Sequence, residues 1–77
     1  MSRDAAFRHE LARTLRDVRE KLSLSRVQVA RDAGVSLFII AGIEDGTVRY
    51  PDPYLPALAR AYRLDEYVER RSGGETP

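Results

Sequence analysis

The chain has 77 residues, no cysteine, one histidine, and a formal net charge of +1 from 13 basic and 12 acidic side chains. This length suits one domain near the lower limit for a self-sufficient core, and the absence of cysteine excludes disulfides and thiolate metal sites. His9 alone cannot make a histidine cluster and reads as a surface helix residue; no apolar run reaches the ~18 residues of a membrane span and no signal-type segment opens the chain, so a cytoplasmic protein without membrane insertion is expected.

Phe7, Leu11, Leu15, Val18 and Leu22 recur at spacings of four, four, three and four. This pattern predicts one apolar helix face over about residues 4–22, with Arg, Glu and Asp on the other faces. Ser23 or Ser25 can cap a second helix over about 26–32, because either hydroxyl can accept a free backbone N–H; Val29 and Ala30 then point inward. Ala33-Gly34-Val35 reads as a tight turn, since glycine takes positive φ at little cost. Ser36 is the N-cap expected for a third helix over about 37–44, and Gly46 is its stop. On this helix Ile40 and Ile43 face the core, Leu37, Phe38, Ala41 and Asp45 face away, and Ile39 lies on the flank.

Gly46, Pro51 and Pro53 mark residues 46–53 as a loop. Asp52-Pro53 resembles a cap followed by a first-turn proline, but Pro56 lacks an N–H to donate. The regular fourth helix is therefore expected from about Leu55, through Leu58, Ala59, Ala61 and Tyr62, to about Arg63. Asp65 can cap a short last helix carrying Tyr67 and Val68. Tyr54, Tyr62 and Tyr67 fall at helix core positions and read as packing residues. Residues 1–70 then form an all-α, compact five-helix domain, and 71–77, ending Ser-Gly-Gly-Glu-Thr-Pro, form a tail with nothing to pack.

Over about residues 10–68 the chain resembles the Cro-type, or XRE, helix-turn-helix repressors. The resemblance is carried by Leu15-Arg16, Arg19-Glu20, Leu24-Ser25, Val29-Ala30, Ala33-Gly34-Val35-Ser36, Ile40, Ile43-Glu44, Gly46, Leu58-Ala59-Arg60-Ala61 and Leu64. It implies the phage-repressor type of fold, a DNA-binding transcriptional regulator and a homodimer reading two half-sites on double-stranded DNA. The third helix would enter the major groove while the second lies across the backbone. Carried over by position, Arg26 would meet phosphate at the start of the second helix, Ser36 would cap and also donate to phosphate, and Arg49 would reach the backbone from the following loop.

Leu37, Phe38 and Ala41 stand where the resemblance implies base contacts, yet the family usually has polar side chains there. Leu, Phe and Ala cannot read donors and acceptors and can touch only thymine methyl groups. Asp45 stands where a phosphate contact is usual, and its carboxylate would repel one. Basic residues cluster early, from Arg3 to Arg31, and none occurs between Asp32 and Val48. Exposed apolar area costs about 25 cal/mol per Å², so a face of Leu37, Phe38 and Ala41, extended by Ile39, Val27 or Val48, also suits a protein interface. A third possibility is a shifted helical wheel that places Phe38 in the core.

A narrower similarity points the same way. Ile43-Glu44-Asp45-Gly46, Tyr50-Pro51 and Ala59-Arg60-Ala61-Tyr62-Arg63-Leu64-Asp65 resemble the cytoplasmic domain of RodZ cell-shape proteins. That resemblance implies a helix-turn-helix fold used to bind an actin-like protein, although the proline-to-helix spacing differs here. An enzyme is not expected, because no helix face collects acids with a base, nucleophile or metal ligand, and no cofactor is implied. Glu44-Asp45 reads as a solvated helix end. Two functions therefore stand side by side: a DNA-binding regulator, and an interaction module that binds itself or a protein partner through its third helix.

Overall fold

The computed structural model describes residues 3–67. The expected tail over 71–77, and Val68, lie outside the described residues. The first helix, α1, spans Arg3–Lys21, α2 spans Arg26–Ala33, α3 spans Leu37–Asp45 and α4 spans Leu55–Ala61. A 3-10 turn at Asp52–Tyr54 leads into α4, and a further helical segment, α5, covers 64–67. No strand occurs among the described residues, and the fold is all-α with five helices, as the periodicities predict.

Helix boundaries follow local chemistry. Ser25, not Ser23, caps α2, its Oγ accepting the Gln28 N–H at 3.0 Å. Ser23 has another job, with φ of 58° just past the end of α1. The Ser23 N–H donates to the Glu20 carbonyl and the Leu24 N–H to the Arg19 carbonyl, which closes the helix end in the manner usually given to glycine. Gly46 does the equivalent for α3, with φ of 78° and the Thr47 N–H donating to the Gly42 carbonyl at 2.8 Å.

The proline-rich loop resolves only in part as its composition suggests: Asp52 does not act as a cap, because Pro51 precedes the 3-10 turn and Tyr54 precedes α4, neither with a side-chain capping bond. Pro53 sits inside the 3-10 turn and Pro56 in the first turn of α4, where a missing N–H leaves no intrahelical bond broken. Helix α4 stops at Ala61, earlier than Arg63, because Arg63 turns to φ of 53°. Asp65 does not cap the last segment. The Arg63 carbonyl accepts the Tyr67 N–H at 3.0 Å, which puts Asp65 inside the first turn.

Helix α1 packs on α3, and α2 packs on both α3 and α4. Leu15, Val18, Leu24, Val29, Ala30, Ile40, Ile43, Leu58, Ala61 and Tyr62 form the shared core. Leu11, Leu22, Tyr54 and Tyr67 pack against its margin. Phe7 departs from the predicted apolar face: it remains 45% exposed, while Ala12 is buried further along α1. Among the described residues the core reaches only as far as Leu11 along α1, so the periodicity of that helix runs on past it.

Candidate nucleic-acid interface

Helices α2 and α3 are joined by Gly34, Val35 and Ser36. Gly34 has φ of 71°, and its N–H donates to the Arg31 carbonyl while the Val35 N–H donates to Ala30. The chain thereby reverses within three residues, and Ser36 restarts it by accepting the Ile39 N–H on Oγ at 3.1 Å. Ser36 is exposed, and its Oγ acts as the acceptor in that capping bond, which leaves the hydroxyl its own proton to donate.

The outward face of α3 is apolar, as its spacing predicts. Ile40 and Ile43 are buried, whereas Leu37 is 47% and Phe38 is 84% exposed. Phe38 therefore does not plug the core. Asp45 is exposed and Ala41 half-buried. A groove of about 230 Å³ runs along this face, lined by Phe38, Ile39, Ala41 and Asp45 of α3 with Thr47 and Val48 of the following loop. Leu37 and Val27 lie outside that lining; both are exposed separately.

Gly42 makes the groove possible. A Cβ built on it would come within 2.8 Å of Val48 Cγ2 and 3.2 Å of Thr47 Oγ1. The bare backbone lets the loop cross close to α3, and the Gly42 carbonyl accepts from the Thr47 N–H, the Val48 N–H and the Thr47 hydroxyl. This role was legible only as an oddity of sequence, a glycine in a helix interior where it costs about 1 kcal/mol relative to alanine.

Beneath the face lies a residue whose sequence reading is overturned. Glu44 is not part of a solvated helix end but is fully buried. Arg19 Nε donates to Oε2 at 2.9 Å and Arg19 Nη2 to Oε1 at 3.1 Å, while Arg26 Nε donates to Oε1 at 3.1 Å. The Tyr62 hydroxyl donates to Oε2 at 2.6 Å. Burial by itself would raise the Glu44 pKa, but the hydrogen bonds from Arg19 and Tyr62 and the Arg19 charge outweigh it and hold the carboxyl below its ordinary range. Burial, then the bond to Glu44, raises the Tyr62 pKa, and the Glu44 bond raises that of Arg19. The spacing did carry a signal: Ile40, Ile43 and Glu44 fall at i, i+3 and i+4, on one inward face.

Arg26 consequently has a divided environment. It is half-buried, its Nε is committed to Glu44, and its Nη2 lies 3.9 Å from Asp45. Arg49 is exposed immediately after Val48, the last residue lining the groove. The anticipated phosphate-contacting residues thus occur at the start of α2 (Arg26), the start of α3 (Ser36) and the loop after α3 (Arg49). Asp45 is tied loosely to the first of them rather than standing apart.

A family model described as a helix-turn-helix domain matches residues 10–72. The chain belongs to this helix-turn-helix family. No curated protein and no solved structure matches it. The matched span contains the buried Glu44 assembly, both serine-capped helices and the groove. A helix-turn-helix domain points to a DNA-binding regulator in general, and such domains are typically non-enzymatic. Among the described residues no helix is long and apolar enough to cross a membrane, and no group of His, Cys, Asp or Glu is placed to hold a metal ion.

Proposed function

We propose that this helix-turn-helix domain is a cytoplasmic transcriptional regulator of the Cro or XRE type that binds double-stranded DNA as a homodimer. Helix α3 enters the major groove and α2 crosses the phosphate backbone. Arg26, Ser36 and Arg49 contact phosphate, while Leu37, Phe38, Ala41 and Asp45 face the bases. The carrying observation is the pairing of the family match over residues 10–72 with an α3 face that the core leaves uncovered. Phosphate contacts supply affinity and fix orientation, and base-edge contacts supply selectivity.

Retention on bulk duplex DNA, measured as salt is raised, tests this reading. Binding through phosphates weakens steeply with salt, because each neutralised phosphate releases counterions. Complete lack of retention at low salt would defeat it. A second reading is favoured by one observation, the 84% exposure of Phe38: α3 docks on another protein or on a second copy of the chain. In that case Phe38→Asp changes oligomeric state or partner capture and leaves any DNA retention intact.

A further inference from the structure

We propose that Phe38 and the groove beside it read thymine through its C5-methyl group; this rests on α3 entering the major groove. The outward side chains of α3 offer no hydrogen-bond donor: Leu37, Phe38 and Ala41 are apolar and Asp45, when ionised, can only accept. In the major groove an A·T pair presents one apolar feature, the thymine methyl, together with the adenine N6 amino donor. The groove matches both. Phe38, Ala41 and Val48 supply apolar walls for the methyl, and the Asp45 carboxylate on the same lining accepts from the amino group. A G·C pair offers an amino donor on cytosine but no methyl.

Charge around the groove favours this occupant over a protein surface. Arg26 Nη2 lies 3.9 Å from the Asp45 carboxylate on the lining, and Arg49 is exposed one residue after Val48 in the chain, so two cations accompany an apolar and acceptor centre. Phosphates flanking a base edge have the complementary layout. The large apolar side chains exposed on α2, α3 and the following loop, Val27, Leu37, Phe38 and Tyr50, are few against the ~800 Å² per partner that a standard protein interface buries. A volume of about 230 Å³ accepts a methyl and the edge of one base pair without a large matching surface.

The test uses the full chain and random-sequence duplexes of about three helical turns. Retained duplexes are sequenced, and the enriched one is remade with deoxyuridine at each thymine, which deletes the methyl and keeps the hydrogen-bonding edge. The expected results are enrichment of A·T pairs and an affinity about fourfold weaker for each contacted methyl removed. Phe38→Ala should weaken binding to the thymine duplex and erase the thymine-to-uracil difference, with unchanged thermal unfolding, since the side chain lies outside the core. Equal affinity of the wild-type chain for the two duplexes overturns the methyl reading while leaving DNA binding intact. An undiminished thymine preference in Phe38→Ala overturns the role of that residue. Failure to retain any duplex at low salt overturns both the inference and the reading on which it rests, and a Phe38-dependent self-association in its place assigns the face to a second copy.

Discussion

The Tyr62 hydroxyl lies 2.6 Å from Oε2 of Glu44 and joins the end of α4 to the buried side of α3. Arg19 and Arg26 reach the same carboxylate from α1 and α2. One acidic group thus links every long element of the fold. Its charge stays buried because the surrounding donors replace the water it has lost.

Tyr62→Phe removes a charge-assisted bond and leaves one buried carboxylate oxygen short of a donor. The expected loss is about 2 kcal/mol, read as a lower urea midpoint at unchanged slope. The pH dependence follows from the depressed Glu44 pKa. Because the folded value is below the unfolded one, the contribution is complete above the ordinary glutamate range near ~4.3 and is lost as pH falls through the folded value. Urea midpoints should therefore decline on acidification below about pH 4.5, and Glu44→Gln should be less stable at neutral pH with a flatter acid limb. An acid limb unchanged by Glu44→Gln would assign the loss to other carboxylates.

Gly42→Ala sets two effects against each other. Alanine gains about 1 kcal/mol of helix propensity, but its methyl would sit 2.8 Å from Val48 Cγ2, an atom on a stiff β-branched side chain. The clash should win, giving a net loss of about 1 kcal/mol together with displacement of the loop bearing Arg49. Trimming the neighbour in a Gly42→Ala, Val48→Ala double variant should recover part of the loss beyond additivity. Strict additivity in chemical denaturation would show that the two sites do not meet.

Ser23 occupies a left-handed conformation at φ of 58°. Glycine adopts this region without the Cβ penalty, so Ser23→Gly should raise stability by about 0.5–1 kcal/mol and the melting temperature by several degrees. The residue is exposed and its hydroxyl is not the α2 cap, so no capping bond is lost. A fall in melting temperature would contradict this account of the α1 terminus.

For DNA retention, Arg49→Ala should lower affinity evenly across sequences and reduce the magnitude of the salt slope by about one. Asp45→Asn should act in the opposite direction. It removes a negative charge 3.9 Å from Arg26 Nη2 that repels phosphate but keeps a side-chain oxygen able to accept from a base amino group, so retention at fixed salt should increase. Filter retention over a salt series measures both, and stronger binding by Arg49→Ala would remove that residue from the phosphate contacts.

Much of this architecture was readable because local rules agree. Ser25, Gly34, Ser36 and Gly46 are chemically committed to helix ends, and Ile40 with Ile43 identifies the inward side of α3 from spacing alone. The same spacing exposed Phe38 as an outward residue. What misled was residue type. A glutamate beside an aspartate near a helix end reads as solvated, and only the arrival of Arg19, Arg26 and Tyr62 from distant positions makes its burial affordable. Phe7 failed for the converse reason: its register fits the face, but among the described residues it stays outside the core cluster and 45% exposed. Gly42 depended on a loop crossing that no local pattern encodes.

The fastening of Arg26 to Glu44 has a consequence for association. A free arginine loses several rotatable bonds' worth of freedom when it grips an anion, a cost of up to about 2 kcal/mol for a fully immobilised chain. Here the Nε contact at 3.1 Å has already removed part of that freedom during folding. An anion meeting Arg26 therefore encounters a partly ordered guanidinium, and the entropy of aligning it is charged to the folded state before any complex forms.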